Sequence, residues 1–243
     1  MTKYSLILFI AILLSSCNEK EHPEMVKIPA GDFTLGFAQT SDLIPFMSDK
    51  TTGLNAQPEQ TIHLETFYID RYETTYEEFI KFKVQVKYPT YQPNEPIRGV
   101  SWHEADSYCL SLGKRLPTEF EWEKAARGED NRLFVWGNEF SKNFANFSKK
   151  VDSVSAQNKD LSSYGVWGMN GNVSEWTSSW YQPYPDSSHK DENFGKKFKV
   201  TRGGSFLKRE HGFLKEFAMI PYRNISPLGA RFWDTGFRCA LSG

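Results

Sequence analysis

Two complete helix designs stand back to back between Ser101 and Gly128, and no comparably long periodic stretch occurs elsewhere in the 243 residues. The first, SWHEADSYCLSLGKR, opens with Ser101 and, three residues later, Glu104: a capping box, in which side chains satisfy the backbone donors that a helix start leaves open. Ala105, Tyr108, Cys109 and Leu112 then recur on one face, and Gly113 supplies the stop. The second, LPTEFEWEKAARG, repeats the plan with Thr118 and Glu121 as the box, Phe120 and Trp122 to Ala126 as packing residues, and Gly128 as terminator. A shorter helix is expected from Thr75 to about Phe82, where Thr75 and Glu78 form a third box. Elsewhere only short strand-like runs occur, TIHLETFYI and FKVTRGG among them, separated by turn-rich loops. The pattern predicts an α+β domain rich in irregular structure, with no internal repeat.

Composition adds mainly exclusions. With 39% hydrophobic and 15% aromatic residues the chain can bury a full core, and its seven tryptophans read as core and loop-packing residues. A formal net charge of -1 and the absence of any basic stripe exclude nucleic acid as a partner. At the N-terminus Lys3 precedes the apolar run YSLILFIAILL, the layout of a secretory signal. The run ends in LSSC, which resembles the bacterial lipobox and makes Cys17 the expected lipidated residue. The chain then divides into three segments: a signal peptide over residues 1–16, a lipidated polar tether over 17–24, and a domain over 25–243. The protein is accordingly expected in a bacterial cell envelope, as an outer-membrane lipoprotein facing the periplasm or the cell surface. Of three cysteines, lipidation of one leaves Cys109 and Cys239 as an even pair in an oxidising compartment, open to a disulfide or to two buried thiols.

Six stretches, in order, resemble the formylglycine-generating-enzyme or sulfatase-modifying-factor family: MVKIPAGDFTLG, FYIDRYETTYEEF, the block from PIRGVSW to EKAARG, YGVWGMNGNVSEWTSSWY, VTRGGSF and GFRCA. The resemblance spans nearly everything from Met25 to Gly243 and implies a loop-rich variant of the C-type-lectin-like fold. It also implies that Cys109 pairs with Cys239. A second family disulfide would need cysteines near Ala126 and Ala218, and neither is present.

The same resemblance implies a chemistry that the residues here do not supply. The family's oxidase holds copper(I) between two cysteine thiolates, and the matching positions are Lys208 and Phe213. Soft copper(I) needs soft sulfur, which neither an ammonium nor a phenyl ring offers. Arg202 and Ser205 of the RGGSF frame remain, Ser205 at a position that the resemblance places near the family's substrate. The run Lys208 to His211 otherwise reads as a solvated charged loop, and His22, His63, His103, His189 and His211 show no metal-ligand spacing. The resemblance also implies calcium on Gly171, Val173 and Glu175, with Asn146 opening a second site. Against it, Gly168 stands where a side-chain oxygen is usual and Ser174 where tryptophan is usual; Asn172 and Glu175 would otherwise bond within their own loop. Two functions are therefore expected of different classes: a lipid-anchored, non-catalytic module binding a protein, peptide or glycan, as in gliding or secretion machinery, and an oxidoreductase of the family with altered chemistry.

Overall fold

The computed structural model describes residues 24–38, 53–83, 92–148, 150–156, 159–207 and 215–243. Cys17, Lys208, His211 and Phe213 lie outside the described residues. In chain order the strands are β1 Met25–Ile28, β2 Gly31–Leu35, β3 Gln60–Leu64, β4 Phe67–Asp70, β5 Ser174–Trp180, β6 Lys199–Arg202, β7 Asn224–Ser226, β8 Thr235–Gly236 and β9 Ala240–Ser242. The helices are α1 Tyr76–Phe82, α2 Trp102–Ser111 and α3 Glu119–Arg127.

All three helices start where the capping boxes place them, with Thr75, Ser101 and Thr118 as N-caps and Glu78, Glu104 and Glu121 returning the bond. The run TIHLETFYI is two strands, broken at Glu65 and Thr66, that join different sheets. β4 lies between β1 and β9, both antiparallel to it, so the first and last strands of the described domain share one partner. β2 and β3 pair as a separate ribbon. The third sheet runs β7-β6-β5-β8, with β5 and β8 parallel. Cys109 of α2 is bonded to Cys239 beside β9, their Cα atoms 5.6 Å apart, as the cysteine pairing implied.

The core is polar to a degree that hydrophobic patterning does not announce. α3 buries Trp122, Ala125 and Ala126, and with them Glu119, Glu121, Glu123, Lys124 and Arg127. A domain with so much loop buries carbonyls that no sheet partner satisfies, and each needs a donor. The α3 cations supply them: Lys124 Nζ donates to Pro29 O and Gly31 O, both at 2.8 Å, and Arg127 Nη1 to Gly36 O at 2.8 Å. Of the α3 anions, Glu121 is met by Arg115 at 2.6 and 2.7 Å, and Glu119 and Glu123 are met from the β6–β7 region. Arg202 donates to Glu123, Glu119 and Ile220 O, while Arg223 forms a two-pronged pair with Glu119 at 2.7 and 2.8 Å. Each charge is thereby hydrogen-bonded, which is the condition under which buried ions are tolerated.

Candidate functional site

The RGGSF frame leaves β6 at Arg202 and turns sharply across the centre of the molecule. Gly203 has φ +77°, and a Cβ there would fall 3.1 Å from Met169 O and 3.3 Å from the Trp122 ring. At Gly204 a Cβ would meet Asn170 O at 2.9 Å. Only glycine lets the strand pass this close to α3 and to the MNGN segment. The frame then places Ser205, which is fully buried; its hydroxyl donates to Asp234 and accepts from Leu207 N at 3.2 Å. Phe206 comes next, with its N–H on Asn172 O at 2.9 Å and its ring 5.7 Å from the Arg98 guanidinium. Arg98 also lies 5.6 Å from the Trp233 ring and pairs with Glu95 at 3.0 Å. Arg202 is buried in the α3 ion network; among the described contacts it anchors β6 to the core.

No described residue offers a thiol to a metal, because Cys109 and Cys239 are joined and fully buried. The described histidines are also separate from one another in role. His63 pairs with Asp32 at 2.8 Å, His103 meets the Trp102 ring edge-on, and His189 meets Phe194. Among the described residues no group of three or more His, Cys, Asp or Glu side chains is arranged to hold a metal.

The GNVSEW loop is built as a lock. Asn172 adopts the left-handed region at φ 66°, which asparagine tolerates better than most residues. Its amide oxygen accepts from Asn146 Nδ2 and Asp152 N, both at 3.0 Å, and its Nδ2 donates to Glu73 Oε1 at 3.1 Å. Asn146 Oδ1 accepts from Ser148 N at 3.0 Å. Glu175 points elsewhere: Arg238 donates to its two oxygens at 2.6 and 2.8 Å, and Trp122 Nε1 to Oε2 at 2.9 Å. Asn172 and Glu175 therefore reach well beyond their own loop. Calcium needs six to eight oxygens free to converge. On Gly171, Val173 and Glu175 it would have to displace Arg238 and Trp122 from Glu175, and at the separate Asn146 position it would have to displace Ser148 N, so neither set fits the ion.

Beside the loop lie two carboxyls that the sequence did not mark. Glu73 and Asp160 are 2% and 1% exposed. Burial, opposed by Arg238, pushes the Glu73 carboxyl up to about 8, and Asp160 to about 7 despite the Asn170 N–H it accepts. Gly168 makes room for Glu73, since a Cβ there would fall 2.7 Å from Glu73 Oε1. With the folded pKa above the unfolded value of 4.5, the folded state holds more protons in that window. The contribution of Glu73 to stability is then fully present below the unfolded value and is lost as pH rises through about 8. Urea titrations from pH 4.5 to 8.5 are expected to show a smaller decline in stability for Glu73→Gln than for the unaltered protein. Parallel curves for the two would contradict this assignment.

Taken with the sheet order and the buried loop network, the fold is of the C-type-lectin-like class, and its loops, not its sheets, carry the site. Residues 13–242 match the sulfatase-modifying factor enzyme 1-like domain, and the chain belongs to that family. It is 27% identical over 288 residues to the formylglycine-generating enzyme of Bos taurus, covering 89% of this chain and 74% of that one. It is 35% identical over 161 residues to the inactive C-alpha-formylglycine-generating enzyme 2 of Mus musculus, covering 60% of this chain and 49% of the relative. Among solved structures, Treponema denticola variable protein 1 superposes with a TM-score of 0.71 at 20% identity, over 90% of this chain and 95% of the other. That likeness is one of fold.

Proposed function

We propose that this chain is a non-catalytic member of its family, anchored by lipid on Cys17 in a bacterial cell envelope, whose lectin-like domain binds or scaffolds a protein, peptide or glycan. The observation that carries the reading is thiol arithmetic. The sequence holds three cysteines, and the fold consumes two of them in the Cys109–Cys239 bond. One thiol at most is left, whatever becomes of Cys17, and a two-thiolate copper(I) centre needs two. Ser205 supports the same reading, since its hydroxyl is buried against Asp234. The relative named inactive in mouse is a precedent for a family member without the oxidase activity. A role in gliding or secretion machinery is the more specific form of the proposal, and the LSSC register supports the anchor.

The alternative is an oxidoreductase of the family working through residues other than thiols. One experiment separates these readings and tests the anchor. The unaltered protein is expected to fractionate with membranes and to retain a stoichiometric partner when purified from its own envelope, whereas Cys17→Ser is expected in the soluble fraction. Membrane association that survives Cys17→Ser would overturn the anchor. Turnover of a small molecule without any retained partner would favour the oxidoreductase.

A further inference from the structure

Helix α3 ends at Gly128, and the chain beyond it turns tightly back on itself. Phe134 and Gly137 exchange backbone hydrogen bonds at 2.9 Å, Asn138 Oδ1 accepts from Leu133 N at 3.0 Å, and Trp136 Nε1 donates to Glu139 O at 2.8 Å. Phe134 stacks flat on Trp136 at 5.2 Å and Phe144 meets it edge-on, which fixes the indole and leaves it half-buried. Gly128 has φ +73°, and a Cβ there would collide with Ser163 Oγ, so glycine lets Ser163 and Tyr164 close against this segment. Two hollows result, of 430 and 490 Å³, within the range of about 300–1,000 Å³ that ligand sites occupy. Trp136, Gly137 and Asn138 line the first, and Glu129, Ser163 and Tyr164 the second. Asp130 and Arg132 line both and form their common wall.

That wall is a fixed pair. Arg132 Nε donates to Asp130 Oδ1 at 2.6 Å and Nη2 to Oδ2, while Nη1 is braced on Val135 O at 2.6 Å. The bonds use three of the five N–H groups a guanidinium carries and leave lone pairs open on the carboxylate, whose side chain is 65% exposed. Donor and acceptor therefore stand side by side, in a geometry set before any ligand arrives. A hydroxyl matches them, because it donates and accepts at once. An anion is opposed by Glu129 and Asp130, and a cation by Arg132, whose pair it would have to break. The rings say what carries the hydroxyls. A sugar has hydroxyls on its rim and polarised C–H groups on its faces, and the negative face of an aromatic ring attracts those C–H groups. Trp136 supplies a ring to one hollow, and half-buried Tyr164 to the other.

We propose that this surface binds a neutral oligosaccharide, one sugar in each hollow, with the Asp130–Arg132 pair hydrogen-bonded to hydroxyls at the junction. The inference rests on the binding-module reading and deepens it, by naming the ligand class.

The test titrates the full-length protein with glucose, galactose, mannose and N-acetylglucosamine, and with linear oligomers of each, following heat and the indole signal of Trp136. Saturation by at least one oligomer, in roughly the millimolar range or tighter, is the expected result, with its monosaccharide at least about tenfold weaker. Binding is expected to persist in EDTA and at high salt, because it uses neither a metal nor a net charge. Asp130→Asn is expected to weaken it by about tenfold or more, the scale of one charge-assisted hydrogen bond. Arg132→Lys, which keeps the charge and loses the fork, is expected to weaken it likewise. Absence of saturation by every oligomer, unchanged affinity in Asp130→Asn, or loss of binding in EDTA would overturn the inference. A protein partner retained equally by the unaltered protein and by Asp130→Asn, with no oligomer bound, would overturn it while leaving the binding-module reading in place.

Discussion

Replacing Cys109 and Cys239 together with alanine is expected to lower the unfolding free energy by up to about 5 kcal/mol, on the scale of the whole stability of many domains. The bond closes a loop of 130 residues, and the entropy removed from the unfolded chain grows with loop length. The two sulfurs are also fully buried, among Phe79, Tyr108, Trp176 and Phe237, so the alanine pair leaves unfilled space as well. Urea denaturation under oxidising conditions would measure the loss. The bond also sets the position of the last strand, because Cys239 N donates to Asp70 and β9 pairs with β4 immediately beyond it. The variant is therefore expected to lose protection from amide exchange first along β9. A change below about 1 kcal/mol would mean that the packing alone holds the C-terminal strand.

Arg238→Met is expected to cost about 3–5 kcal/mol, because it strands Glu175 as an uncompensated buried carboxylate. Arg238 does more than neutralise that charge. It donates to Asp70 O and Arg71 O at the end of β4, both at 3.2 Å, and to Trp167 O at 2.7 Å in the loop before β5. Replacing both partners, as Glu175→Gln with Arg238→Met, removes the stranded charge and is expected to cost less than the sum of the single variants. Strict additivity in the double-mutant cycle would show that the ion pair is not the unit that holds these loops.

How much of the fold was legible in the sequence depends on range. The helices are local statements, each opened by a cap and its box and two of them closed by a glycine, and all three form as written. Counting left Cys109 and Cys239 as an even pair, and the family resemblance implied the bond that the fold holds. Most strands were not legible: β1, β7, β8 and β9 are two to four residues long, shorter than any alternation that could announce them. β5 was hidden for a different reason. Its SEWTSSW is buried or half-buried along its whole length, so polar and apolar residues do not alternate with exposure. The ionic core was illegible too: Glu123 and Lys124 fall within the run read as packing, but nothing in that run names the partners of Glu119, Glu123 and Lys124, since Arg202, Arg223 and the Pro29 and Gly31 carbonyls arrive from far along the chain. At the candidate site the RGGSF and GNVSEW frames were readable as motifs. Asp234 behind Ser205 and Glu73 beside Asn172 were not, because only the fold brings them there.

The central claim is that this domain keeps the family's scaffold without its oxidase, and one assay meets it directly. The purified protein is given copper(I), oxygen and a cysteine peptide of the sulfatase type, and the peptide is examined by mass spectrometry. The resemblance puts Lys208 and Phe213 where the family's oxidase has its thiolates, and both domain cysteines are joined, so the peptide's cysteine is expected to remain unconverted. Formylglycine in that peptide, formed in proportion to the protein added, would contradict the account.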